Sequence, residues 1–215
     1  MRDALRAGPQ LARMATVNNS DPVLSDHRST QLTSCEAAWT GERDVTLQWM
    51  EPGENYWSVL DPIWNKTNID TPETFTQTFG DVSRSEGLLY AAHFCQSEAC
   101  NGGFTQFFWN STDVLASEAV DGFIAIGRPQ VADVLQRAMN MLGSPYRRDR
   151  AVRWSALDTL RDEHDKQRDP RDRANYKNMD SFSKLERKFY SLHASEAGGF
   201  ENAADVYAKR LSVWR

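Results

Sequence analysis

The chain has 215 residues, 40% of them apolar and 26% charged, and a net charge of -5. That make-up suits a protein with a packed core, and 12 Gly, 8 Pro and 3 Cys exclude collagen-like, mucin-like and disulfide-scaffold classes. No apolar run approaches the roughly 18 residues a membrane helix requires, and the acidic sign opposes a free nucleic-acid binder, which carries a basic excess.

Residues 1–30 have scattered arginines, no apolar stretch and no periodicity, which predicts a mobile N-terminal extension without a secretory signal. With an odd number of cysteines, this points to a reducing cytoplasm. Residues 31–52 are an ambiguous lead-in. Val45, Leu47 and Trp49 alternate with polar residues as in a strand, and Pro52-Gly53 then breaks the chain.

From 53 to 215 the pattern predicts an all-α fold, a compact multi-helix single domain. A short aromatic helix runs from Asn55 to about Trp64. Thr71 and Pro72 read as N-cap and first helical residue of the next. Leu88, Leu89, Ala92, Cys95 and Ala99 mark a helix over about 83–99, stopped at Asn101-Gly-Gly by a left-handed glycine cap. A short aromatic turn or helix covers 104–109, and Asn110, Ser111 or Thr112 offers the N-cap of a helix over 113–126. Val131, Val134, Leu135, Ala138, Met141 and Leu142 make one stripe of a helix over 129–142, followed by Gly143 and Pro145. The tail carries helices over about 148–164, 181–195 and 199–213, the last with Ala203, Ala204, Tyr207, Leu211 and Trp214 on one stripe. The polar stretch 165–180 reads as a loop.

Charge is unevenly spread. Residues 53–143, the acidic core, hold 4 basic and 11 acidic residues, and the mixed-charge tail 144–215 holds 16 basic and 12 acidic. The acidic side chains of the core are Glu54, Asp61, Asp70, Glu73, Asp81, Glu86, Glu98, Asp113, Glu118, Asp121 and Asp133. The arginine-rich run 147–173 is interleaved with carboxylates and reads as salt-bridged helix rather than a nucleic-acid patch.

Catalytic and metal signatures are weak. His93 and Cys95 point apart on a helix, and Cys95 and Cys100 lack a zinc spacing, so buried cysteines beside a surface or capping histidine are expected, with no metal and no cofactor. His164 reads as part of a solvated helix end, and His193 with Glu196 as a surface pair. No nucleophile elbow, zincin, phosphate-loop or dinucleotide motif occurs, and no catalytic residue is assigned. Gly102 and Gly103 permit a tight turn, Phe104, Phe107 and Phe108 anchor the core, and Asn101 and Asn110 satisfy helix ends. The alternative is a polar ligand or enzyme pocket formed by His93, Asn101, Gln106 and Asn110.

Residues Asn101-Gly-Gly-Phe-Thr-Gln-Phe-Phe-Trp-Asn-Ser resemble the N-G-G-F-x-Q-F-F-x-N-S signature of the bacterial DNA-mimic protein nineteen family. Tyr56-Trp57-Ser-Val-Leu, Gly87-Leu-Leu-Tyr90, the Ala119–Gly127 and Val131–Leu142 pair and Leu185-Glu-Arg-Lys-Phe-Tyr190 resemble other family elements, over roughly 54–210. The resemblance implies an all-α, non-enzymatic protein, a homodimer in the namesake. Its acidic surface occupies the DNA-binding face of a helix-turn-helix transcription regulator, because carboxylates spaced like phosphates meet the same arginines. The expected partner is therefore a basic protein, met through the eleven acidic side chains, with no direct nucleic-acid or membrane contact. An immunity or antitoxin-like role rests on the same electrostatics.

Overall fold

The computed structural model describes residues 55–166 and 181–213. The expected extension over 1–30, the lead-in over 31–52, Glu54, the loop beyond Lys166 and Trp214 lie outside the described residues. Among the described residues there are eight α-helices, two short 3-10 turns and no strand, so the fold is all-α.

Helix α1 spans Trp57–Trp64 and buries Val59, Leu60 and Ile63. Helix α2, Pro72–Phe79, starts as its sequence predicts. Thr71 is extended, its hydroxyl accepts from the Thr74 N–H, the Thr74 hydroxyl accepts from the Thr71 N–H, and Pro72 fills the first turn. Helix α3, Arg84–Trp109, is the spine of the molecule, with non-helical backbone at Gly102 and Gly103. It packs against α1, against the two elements that directly follow it and against the three helices of the tail.

The helix expected over 113–126 is two pieces, a 3-10 turn Ser111–Leu115 and α4, Ala116–Ala125. Side chains from beyond the next helix claim the carbonyls of the first piece, Tyr146 that of Asp113 and Arg148 that of Val114. The tighter turn is the form compatible with those bonds.

Helix α5 spans Pro129–Met141 and buries Val131, Ala132, Val134, Leu135, Ala138 and Met139. Met141 is exposed, contrary to the predicted stripe. The helix ends there, and Met139 takes the core position. Helices α6 (Arg150–Lys166), α7 (Ser183–Ser195) and α8 (Phe200–Val213) complete the chain. Ala203 and Ala204 of α8 are buried as expected.

The tail packs back onto the middle through phenylalanines. Phe104, Phe107 and Phe108 are fully buried. Phe189 of α7 meets Phe104 edge-on at 5.2 Å, and Phe182 meets Phe108 at 5.5 Å. Each fully buried Phe contributes on the order of 2–3 kcal/mol relative to exposure, so these contacts hold the tail to the middle.

Candidate functional site

The signature Asn101–Ser111 folds around a break in α3. At Gly102 and Gly103 the backbone leaves helical geometry, and Gly103 takes φ 77°, ψ -175°. This is not the left-handed helix cap expected from the sequence. The positive φ comes with an extended ψ, a region close to glycine-only. The chain re-enters the helix one residue later instead of stopping.

Such a break orphans a carbonyl behind it and an amide ahead of it. Both are satisfied by α7. The Phe104 N–H donates to the Glu186 carboxylate at 2.7 Å, and the Tyr190 hydroxyl donates to the Ala99 carbonyl at 3.0 Å. Glu186 and Tyr190 are four residues apart, hence on one face of α7. Glu186 is buried, and a Cβ on Gly103 would sit 2.3 Å from its Oε1. Two of the sequence elements that carried the family resemblance, Asn101–Ser111 and Leu185–Tyr190, therefore form one structural unit.

Glu98 ties the two halves of α3 together on another side. Its Oε2 accepts from Gln106 Nε2 at 2.8 Å and from Asn110 Nδ2 at 2.9 Å. Gln106 folds over Gly102, where a Cβ would lie 2.0 Å from the Gln106 side chain. Asn110 makes no side-chain cap on the turn that follows, contrary to its expected role, and its Nδ2 donates to Glu98. Asn101 is exposed.

His93 does not join this group, so the predicted pocket of His93, Asn101, Gln106 and Asn110 is not assembled. Nor is His93 a surface or capping residue. It is 6% exposed, with Trp57 at 4.8 Å, Phe200 at 6.3 Å and the Tyr56 hydroxyl 3.5 Å from Nδ1. Burial pulls its pKa down to about 4. Cys95 is buried, as expected, and Cys100 half-buried. Among the described residues no group of three metal-ligating side chains gathers.

His193 and Glu196 do not pair on a helix face either. His193 is buried, with Nε2 2.8 Å from Gln96 Oε1 and its ring parallel to Phe200. Burial, then the nearby Arg128 cation, hold its pKa at about 4. Glu196 instead accepts from the N–H groups of Gln130 (2.9 Å) and Val131 (3.0 Å), capping α5. Arg128, fully buried just before α5, returns the exchange. Its Nη2 donates to the Leu192 and His193 carbonyls at 2.9 and 2.8 Å, closing the end of α7. Desolvation lowers the Arg128 pKa to about 10, against the opposing pull of Glu196.

The eleven carboxylates chosen from sequence separate into distinct sets. Asp113 is the clearest correction. It is 0% exposed, in a buried ion pair with Arg153, and accepts from the Tyr146 hydroxyl at 3.0 Å. An acidic residue in the first turn after Asn110 read as surface because its partner lies 40 residues on, across two helices. Glu118 receives both Arg148 nitrogens at 2.7 and 2.8 Å, and Glu98 is occupied as described. Glu86 bonds to Ser83 at the start of α3. Asp121 and Asp133 are exposed but pair with Arg84 and Arg137. Asp61, Asp70, Glu73 and Asp81 are exposed, with no ion pair among the described residues. They fall on α1, on α2 and on the turns that flank α2.

Sequence reasoning missed an aromatic feature beside this segment. Trp109, at the end of α3, stacks on Trp154 of α6 with ring centroids 4.6 Å apart and planes 16° apart. Trp154 donates its Nε1–H to the Trp109 carbonyl, and the Arg150 guanidinium lies 5.8 Å over the Trp154 ring. Arg150 also donates to the Asp70 carbonyl at 3.1 Å.

No curated protein matches this chain, and no solved structure does. The family model described as DMP19-like protein matches residues 80–210, which takes in the α3 break, both of its α7 partners and the reciprocal caps of α5 and α7. The chain belongs to the DMP19-like protein family.

Proposed function

We propose that this protein is a non-enzymatic interaction module whose exposed carboxylates over residues 61–81 bind a basic protein. The observation that carries the reading is the separation of the acidic residues. Asp113, Glu118 and Glu98 are committed inside the fold, whereas Asp61, Asp70, Glu73 and Asp81 are exposed and without ion pairs among the described residues. Lys66 is the only basic residue between Asn55 and Ser83, so this segment offers a net negative field that a cationic partner neutralises on binding. Family membership sharpens the proposal. A DNA-mimic protein presents carboxylates where its partner expects phosphates, and a DNA-binding regulator is the kind of basic partner such a surface takes.

The test is the quadruple charge reversal D61K/D70K/E73K/D81K in the full chain, with capture from native lysate at low and high salt. The wild type is expected to retain a basic protein at low salt and to release it at high salt, with the variant capturing at least tenfold less. D133K, at a residue already paired on α5, is the control and is expected to leave capture unchanged. Equal capture by the wild type and the quadruple variant, both folded by circular dichroism, overturns the reading.

A further inference from the structure

We infer that the stacked Trp109–Trp154 pair is the anchor of this same surface, and that the exposed part of Trp109 receives an arginine side chain of the basic partner. The inference rests on the proposed function and names the chemistry of the partner.

Three observations lead to it. Trp109 remains 41% exposed although its ring is stacked on Trp154. Tryptophan is among the residues that most often dominate binding energy at an interface. The pair is also physically continuous with the acidic segment. Arg150 bonds to the Asp70 backbone and lies over Trp154, which stacks on Trp109. Arg150 thus links the backbone of the acidic segment to the tryptophan pair. Finally, the protein already displays a contact of the kind being proposed, since the guanidinium of its own Arg150 lies 5.8 Å over the ring of Trp154.

Arginine fits better than lysine here. A guanidinium is planar, lies flat on an indole and sheds its hydration more easily than an ammonium, while its edge still reaches a carboxylate. A partner arginine on Trp109, with neighbouring cations on Asp70 and Glu73, uses both halves of the surface at once. A partner with lysines alone uses only the acidic half.

The experiment measures binding of an eight-residue arginine peptide, an eight-residue lysine peptide and an eight-nucleotide thymidine strand to the full-length protein at low salt, by fluorescence and calorimetry. The arginine peptide is expected to bind about three- to fivefold tighter than the lysine peptide, the range a surface cation–π contact supplies, and to change tryptophan fluorescence. W109A should erase that preference and leave lysine-peptide binding unchanged, whereas W109F should keep part of it. The quadruple charge reversal should weaken both peptides. If W109A leaves the preference intact while charge reversal weakens both peptides, the anchor is wrong and the acidic surface stands. If neither peptide binds, both readings fall. Binding of the thymidine strand with Trp109-dependent quenching, in place of the arginine peptide, also overturns the inference. Thermal unfolding of W109A within a few degrees of the wild type excludes misfolding as the cause, and W109F serves if it does not.

Discussion

Gly103 and Glu186 occupy neighbouring space that permits no side chain on the first and needs the carboxylate of the second. Replacing Gly103 by alanine imposes a positive φ on a residue with a Cβ and drives that Cβ into Glu186 Oε1. We expect G103A to lose about 3 kcal/mol of stability in urea unfolding. E186A, which strips the buried Phe104 N–H of its acceptor, should lose about 2–3 kcal/mol. The pair should be non-additive. In the E186A background the steric part of the alanine penalty vanishes and only the backbone strain remains, so G103A should cost at least 1 kcal/mol less there. Strict additivity would mean that the two residues do not share the space described. The two glycines were legible in the sequence as a turn. That Gly103 must leave room for a carboxylate was not, because Glu186 lies 82 residues beyond Phe104, the residue whose N–H it accepts.

Between elements, the most informative contact is the exchange of caps at the α5–α7 junction. Arg128 closes the carbonyl end of α7 while Glu196 closes the amide end of α5, so opposite charges sit on opposite helix poles in an antiparallel pair. E196A should cost about 1 kcal/mol, as for loss of an ordinary N-cap, and hydrogen exchange should locate the effect in the first turn of α5. No change in protection there would refute the cap. The helices themselves were readable. Pro129, Gly143 and the apolar spacing delimited α5 within a residue, and Thr71-Pro72 placed the start of α2. Such boundaries are local events. The caps that cross between helices are not, and a glutamate beside a histidine on one helix reads as a surface pair until the fold shows where each one turns. The same limit explains Asp113, whose commitment to Arg153 no local pattern announces.

At the scale of the described helices, a net-basic tail packs on an acidic middle, and part of the charge of each is consumed internally. Asp113 with Arg153 and Glu118 with Arg148 join the two, whereas Asp61, Asp70, Glu73 and Asp81 have no ion pair among the described residues. Acid tolerance is a property at this scale, because His93 of α3 and His193 of α7 both pack on Phe200 of α8. Both are held neutral, with pKa values of about 4 against 6.5 in an unfolded chain. Above pH 6.5 neither state binds the proton and stability is unaffected. As pH falls from 6.5 to 4 the unfolded state takes up protons that the folded state refuses, and stability is lost by about 3 kcal/mol per histidine. Urea midpoints measured from pH 7 to 4 should fall over that window, and H193Q should fall less steeply. Parallel profiles for the two proteins would contradict the burial of His193 as a neutral ring.

The break in α3 also has a consequence for the order in which the protein is made. The donor and acceptor that close it, Tyr190 and Glu186, are translated 91 and 82 residues after the groups they satisfy. Until then the second half of α3 has an uncapped start and a glycine hinge, which favours a detached aromatic segment over a continuous helix. For a helical protein this is an unusually long wait, since most helical contacts are local and form early. The nascent chain therefore carries Phe104, Phe107 and Phe108 without their final cover while α4, α5 and α6 are synthesised, and the arrival of α7 closes the break in α3 before α8 adds Phe200 to the core.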